Sequence, residues 1–333
     1  MKNYLKLIRP YGMLFLGFTP VFGAIANDTT SSSHLVLLFI IGILTHIFVF
    51  VQNDYYDLEI DSKSKYVSNR PLTAGDISKK TAFIIFFSSF MISLILALVF
   101  LFSFFSFLFL LFSLLCMSSY NKYSKRITGM EYNLSLGVFN LGLFGALTVS
   151  NSISFIAIIV SALGFMQWLF SVGISANLKD IEFDSKLNIR TTPILFRVHI
   201  SDEKLVIPIS FKLYSLTIKF IHVFIASLPF FLGYTSIFIN NLPVPGISFV
   251  IISITLFYLT FKILSTTINK RDKMLIYIGI QEGLALLLIP LTLMSYLEEK
   301  ISLIGTFLLI SILIFWPIFW FRFLFGKRMI PLE

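Results

Sequence analysis

Long apolar runs separated by short polar breaks occupy almost the whole of this chain. Ten of them, at roughly 10–27, 34–53, 81–100, 103–120, 133–150, 152–176, 207–234, 246–265, 274–296 and 301–322, are long enough to cross a bilayer as helices. The third and fourth are nearly continuous and together about twice a membrane thickness, which predicts a break near Leu101–Ser106. The polar residues do not alternate with the apolar ones as in half-buried strands; they collect between the runs. The pattern predicts an all-α polytopic membrane protein, with nine to ten transmembrane helices according to whether that break is real.

Composition agrees: 57% of the residues are hydrophobic and 13% charged. The net charge of +9 acquires a meaning once the basic residues are placed on this topology. With the N-terminus cytosolic, Lys2, Lys6 and Arg9, Lys63 to Lys80, Lys122 to Arg126, Lys179 to Lys204, Lys270 to Lys273, and Arg322 to Arg328 all fall on the inner side. Lys300 alone falls outside. That bias is what the positive-inside rule describes. It accounts for the charge without nucleic acid and places both termini and the longer, polar loops in the cytosol, facing anionic membrane lipid. Cys116 is the only cysteine, so no internal disulfide forms. The first segment has the basic start and Ala24-Ile25-Ala26 of a signal peptide, but Pro10 and Pro20 interrupt its apolar stretch, and a retained helix is expected.

Two inner connections, about 54–80 and 177–206, carry most of the polar chemistry. Each follows the second helix of a group of four, and Asp54 and Asp180 are separated by about the length of one group. This predicts one domain over 1–333 made of two pseudo-repeats, about 9–132 and 133–273, with extra helices over 274–322.

Each connection opens on acids: Asn53-Asp54-Tyr-Tyr-Asp57-Leu-Glu-Ile-Asp61 and Asn177-Leu-Lys-Asp180-Ile-Glu-Phe-Asp184. Carboxylates at i, i+3 and i+7, or at i and i+4, share one face of a helix. Oxygen-rich clusters without nitrogen or sulfur suit Mg²⁺, which is commonly shared with phosphate. Converging carboxylates about 5 Å apart would repel by roughly 3 kcal/mol per pair at an effective dielectric near 20. Two Mg²⁺ ions, with Arg70, Lys122, Lys125, Arg126, Lys179, Lys186 and Arg190 nearby in sequence, would reverse that sign and suit a diphosphate.

These stretches, read in order, resemble the UbiA superfamily of intramembrane prenyltransferases. Asn53-Asp54-x-x-Asp57-x-x-x-Asp61 matches that family's first acidic motif, and Asn69-Arg70-Pro71…Gly75-Asp-Ile-Ser78 is similar to its continuation. Ser119-Tyr120-Asn-Lys122-Tyr123-Ser-Lys125-Arg126 resembles the loop after the fourth helix. Asp180-x-x-x-Asp184 followed by Arg190-Thr191-Thr192 resembles the second motif, and Arg9-Pro10 with Gly23-Ala24 resembles the opening helix. Phe183 and Asn188 stand where the family often has Gly, and the family typically has nine helices.

The resemblance implies an integral membrane enzyme, its helices around a central cavity, that moves a prenyl group from an isoprenoid diphosphate to an aromatic (quinone-precursor) or lipid acceptor, releasing diphosphate. It implies Mg²⁺ on Asn53, Asp54, Asp57, Asp61, Asp180 and Asp184. The diphosphate would lie on Asn53, Arg70, Lys122, Arg126, Asn177, Lys179, Lys186 and Arg190. Catalytic roles would fall on Asp57, Asp61, Asp180, Asp184, Tyr120 and Lys125. The same scaffold could act on a glycerol-phosphate ether lipid, a tetrapyrrole or a carotenoid. A secondary transporter is the rival class, but it would place its acids near the bilayer midplane, where Glu282 is the one clear carboxylate. Within the spans, His46 lies one heptad before Asn53 and Gln167 ten residues before Asn177, so both are expected below the motifs. His222 is expected to pack, and Asn140, Gly137 and Gly142 suit close helix contact.

Overall fold

A computed structural model describes residues 1–29, 31–64, 67–201, 204–239, 241–266 and 271–326, the Lys204 side chain excepted. Lys65, Lys270, Lys327 and Arg328, placed on the inner side by the charge pattern, lie outside the described residues. The elements are α1 (Lys2–Ile8), a 3₁₀ turn (Pro10–Gly12), α2 (Met13–Ala26), α3 (Ser32–Asp61), α4 (Lys79–Phe100), α5 (Phe104–Tyr123), α6 (Met130–Leu147) and α7 (Phe155–Phe170). A π-helical turn (Ser171–Ala176) follows, then α8 (Asn177–Lys179), α9 (Ile181–Lys186), α10 (Thr192–Leu195), β1 (His199–Ser201) and β2 (Lys204–Val206). The chain continues as α11 (Ile209–Phe231), α12 (Val244–Ser265), α13 (Arg271–Thr292) and α14 (Met294–Phe325).

A helix lies at every one of the ten expected spans. Among the described residues, nine helical stretches are long and apolar enough to cross a membrane. The remaining helix, α6, carries Glu131, Asn133 and Asn140, which dilute its hydropathy. The break between α4 and α5 has a local cause. Ser103 and Ser106 cap each other, backbone N–H to hydroxyl, at 3.1 and 3.2 Å, satisfying donors that a new helix start leaves open. Ser31 and Ser78 cap α3 and α4 in the same way, accepting from His34 and Thr81. The all-α expectation has one local exception, the antiparallel β1–β2 hairpin with His199 opposite Val206.

The chain forms two compact units. The first contains Met1–Lys122, Leu136–Ser161 and the chain from Ile312 onward. In it α2 touches α3 and α6 backbone to backbone. A Cβ on Gly23 would stand 2.0 Å from the Gly142 carbonyl oxygen, and one on Gly145 would stand 1.9 Å from that of Pro20. Only hydrogen fits there, as at small-residue contacts between membrane helices. The second unit contains Tyr123–Ser135 and Ala162–Ser311. Its core gathers Met166, Phe170, Ile174, Phe211, Ile218, Ile263 and Met274.

Large apolar side chains on α4, α5, α12 and α14 are exposed, among them Phe83, Phe87, Phe104, Phe112, Ile254, Phe261, Phe315 and Phe319. In water such a surface would aggregate; in hydrocarbon it is the expected exterior.

Candidate active site

In the first unit the site is built on the last two turns of α3. Asp54, Asp57 and Asp61 fall on one face and are buried, with 3%, 6% and 8% of their surface accessible, whereas Tyr56 and Glu59 point outward. The helical spacing therefore delivers three carboxylates to one place, and the surrounding groups balance them. Asn53 donates from Nδ2 to Asp57 Oδ2 at 3.2 Å. Arg70 reaches Asp61 Oδ2 at 2.9 Å and Asp54 Oδ1 at 3.3 Å. Arg9 forms a second, short ion pair with Asp54 Oδ1.

Arg70 is held by a compact loop. Ile77 N–H donates to the Pro71 carbonyl at 3.1 Å, Ala74 N–H to that of Arg70 at 2.8 Å, and Pro71, Leu72 and Ile77 are buried beneath. Gly75 closes the loop at φ 80°, in the left-handed region that favours glycine.

Arg9 is held with equal care. Its backbone is left-handed at φ 48°, between α1 and the 3₁₀ turn. The carbonyls of Ile8 and Arg9 both lie 3.1 Å from His46 Nε2, so this nitrogen carries the proton and donates to them. The guanidinium sits 5.2 Å from the centre of the Phe50 ring. His46 thus fixes the chain beside the acids.

A further network ties α3 to the end of α5. Gln52 donates to Ser118 Oγ at 3.0 Å, and Asn121 Nδ2 donates to Gln52 Oε1 and the Val49 carbonyl at 3.0 and 2.8 Å. Tyr120 beside it is half-buried and Lys122 is exposed.

In the second unit the acidic stretch is not one continuous helix. Asp180 separates α8 from α9 with φ −102° and ψ 5°, although Asp184 N–H still donates to its carbonyl at 3.0 Å. Its carboxylate meets Lys179 Nζ at 3.0 Å and Arg271 Nη2 at 3.4 Å. Burial pushes the Asp180 carboxyl upward in pKa, but the charges of Lys179, Lys125 and Arg271 outweigh it and hold the group below its ordinary value. Asp184 is buried at 2% accessibility.

Asn177 starts α8 and is half-buried. Lys186 turns to Glu182 at 2.9 Å on the surface, and Arg126 and Arg190 are exposed. Of the cations expected from the sequence in this unit, the structure brings Lys125 and Lys179 to Asp180 and leaves Lys186 outside that group.

Three residues without an expected role emerge: Arg9, Arg271 and Glu131. Glu131, buried at 4%, accepts a short hydrogen bond from Thr192 Oγ1 and packs on Gly173 in the π turn. A buried acid in the first turn of an apolar helix was the available signal.

Among the described residues no three His, Cys, Asp or Glu side chains surround a cation by themselves. Mg²⁺ typically takes one or two protein carboxylates and completes its shell with water and substrate phosphate. Asp57 and Asp61 with Asn53, and Asp184 with Asp180, are donor sets of that kind.

A mainly helical scaffold with exposed apolar helices and buried acids paired with arginine defines a polytopic membrane protein with a charge-paired acidic site. The UbiA prenyltransferase family matches residues 14–278, and the chain belongs to that family. It is an integral membrane protein.

A 4-hydroxybenzoate octaprenyltransferase of Marinomonas sp. (strain MWYL1) is 33% identical over 103 residues, covering 29% of this chain and 36% of that protein. A digeranylgeranylglyceryl phosphate synthase of Hyperthermus butylicus is 28% identical over 159 residues, covering 45% of this chain and 51% of that one. The matches thus span about a third to a half of these relatives.

Among solved structures, an apo UbiA homolog from Aeropyrum pernix K1 superposes with a TM-score of 0.64 at 13% identity, over 85% of this chain and 96% of that one. A UbiA homolog from Archaeoglobus fulgidus bound to DMAPP and Mg²⁺ gives 0.59 at 21%, over 86% and 99%. At such identities the likeness shows the fold.

Proposed function

We propose that this protein transfers a prenyl group from an isoprenoid diphosphate to an aromatic, quinone-precursor acceptor and releases diphosphate. The observation that carries the reading is the buried Asp54–Asp57–Asp61 face with Arg70 across it. A cluster of this kind is costly to bury unless cations complete it. The named relatives act in prenyl transfer on two kinds of acceptor, so a glyceryl phosphate lipid is the second candidate.

In this reading Asn53, Asp57 and Asp61 hold one Mg²⁺, and Asp180 and Asp184 hold another. Mg²⁺, when bound, supplies charge neutralisation of the diphosphate as the carbon–oxygen bond ionises. Arg9 and Arg70 pair with Asp54 and fix its orientation. Lys179 and Arg271 do the same for Asp180, and the low pKa keeps that carboxylate ready for metal at neutral pH. Lys125 brings further positive charge to this region, where the leaving diphosphate would gain from it. An allylic cation has to be kept from water, and Tyr120, half-buried at the end of α5, offers a ring face to it. The acidic loops and both termini face the cytosol, as the basic residues indicate.

The test is incubation of purified protein with Mg²⁺, labelled geranylgeranyl diphosphate and a panel of phenolic and glyceryl acceptors. Mg²⁺-dependent product together with diphosphate is the expected result, and EDTA abolishes it. Transfer that persists in EDTA would refute the metal assignment.

A further inference from the structure

The turn that carries Arg9 depends on side chains from two other helices. Arg9 has a Cβ and yet sits at φ 48°, a conformation that persists where its surroundings impose it. Pro10 brings no N–H to the turn. The carbonyls of Ile8 and Arg9 accept from His46 on α3, and the next carbonyl, that of Pro10, accepts from Trp316 Nε1–H on α14 at 2.6 Å. Three consecutive carbonyls are thus fixed from outside the turn. Within a span a freed carbonyl finds no water to replace such a bond.

The end of α14 is patterned for this contact. Leu313, Trp316, Trp320, Phe321 and Leu324 recur at helical spacing and are buried or half-buried, whereas Phe315, Phe319 and Phe323 between them are exposed. Phe321 stacks on Tyr11 at 4.5 Å, and Phe325 meets the same ring at 6.2 Å. The turn and this end of α14 belong to one compact unit. Both lie outside residues 14–278, so membership of the family does not account for the contact.

Its consequence reaches the acids. Arg9 pairs with Asp54, and Arg70 divides between Asp54 and Asp61. If Arg9 withdraws, the buried Asp54 is left with Arg70, and what Arg70 gives to Asp54 it takes from Asp61. Trp316 reaches this balance through the backbone of the turn. Trp320 supplies the comparison on the same stripe, because its Nε1 is buried and has no hydrogen-bond partner among the described residues. Replacing either tryptophan by Phe removes the same atoms, but at 316 it also removes the bond to Pro10.

We propose that Trp316 is a positioning residue for prenyl transfer: its indole N–H fixes the Pro10 carbonyl and so holds the Arg9 guanidinium on Asp54. Its effect on substrate rests on the prenyl-transfer reading, and its hold on the turn does not.

The experiment uses the full chain in nanodiscs, as wild type, Trp316→Phe, Trp320→Phe, Arg9→Met and Trp316→Phe combined with Arg9→Met. Hydrogen exchange over residues 2–13 is followed by mass spectrometry, beside Mg²⁺-dependent binding of labelled geranylgeranyl diphosphate. Trp316→Phe should speed exchange in the turn and weaken binding, each by about fivefold, the net worth of one hydrogen bond. Trp320→Phe should leave both within about twofold, and Trp316→Phe should add less than about twofold to the binding loss of Arg9→Met. A packing role would make the two tryptophan variants alike, or would make the losses from Trp316→Phe and Arg9→Met multiply; either result overturns the assignment. The Gly12 amide, which donates to the Arg9 carbonyl at 3.0 Å, should exchange slowly in wild type, and free exchange there overturns the held turn even if Trp316→Phe does not fold. Absence of geranylgeranyl diphosphate binding in wild type refutes the prenyl-transfer reading instead, and the exchange comparison still decides whether Trp316 holds the turn.

Discussion

Replacing Arg9 by Met should destabilise the first unit through Asp54. The side chain of Asp54 is 4% accessible, and that of Arg9 14%. Removing one partner of a buried ion pair typically costs about 3–5 kcal/mol, because the other charge is left uncompensated. Arg70 still reaches Asp54 at 3.3 Å, a long contact that it divides with Asp61. The expected cost is therefore at or just below the bottom of that range, about 2–3 kcal/mol.

The cation–π contact with Phe50 adds about 0.5–1 kcal/mol, but it is lost equally whenever Arg9 is replaced. A double-mutant cycle with Asp54→Asn removes it from the comparison. The neutral amide of that variant needs no cation, so the coupling energy should be about 2 kcal/mol in favour of the pair. The assay is equilibrium unfolding in mixed micelles followed by tryptophan emission. Trp316 donates to the Pro10 carbonyl at 2.6 Å and so reports on the turn that carries Arg9. Costs that add to within about 0.5 kcal/mol would refute the coupling.

Other outcomes follow from the same geometry. Asp57→Asn and Asp180→Asn should each lower transfer by at least about a hundredfold, as a charge-stabilising group does when removed, while the protein stays monodisperse; wild-type turnover in either would count against the metal assigned to that motif. Gly145→Ala should sharply reduce the yield of folded protein, because its Cβ would stand 1.9 Å from a backbone oxygen. Gly283→Ala, with nothing within 4 Å of the added Cβ, should be tolerated, and fluorescence size-exclusion profiles compare the two. Glu131→Leu should cost about 1–3 kcal/mol because it removes the buried acceptor of the Thr192 hydroxyl, read as a fall in the thermal midpoint.

The helices were legible because bilayer thickness fixes their length and hydropathy marks their extent. The break after Phe100 was legible from length alone, although the paired caps of Ser103 and Ser106 form it. The common face of Asp54, Asp57 and Asp61 followed from helical spacing within one uninterrupted helix. Asp180 and Asp184 keep one helical turn between them, but the break at Asp180 separates them from Asn177, and the spacing alone did not show that break. Arg9 and Arg271 lie 45 and 91 residues from the acids they meet, and no local pattern encodes such pairs. His46 was expected below the first motif, but its donor to the backbone of Ile8 and Arg9 depends on where α1 packs. The β1–β2 hairpin is three residues a side, too short for a periodicity to announce it.

The turn at Ser171–Ala176 has an evolutionary consequence. Its i→i+5 bonding fits one more residue than an α-helix would in the same length, and everything after it is rotated by about 100°. Gln167 and Asn177 stand on opposite sides of that insertion, so their ten-residue separation no longer reports a shared face. Aligning this helix with a homologue that lacks the bulge requires a single-position gap. Deleting Val172 should wind the segment back to regular pitch and swing Lys179 away from its present bearing. The aim of the second motif is thus set by how many residues precede it as well as by which ones they are.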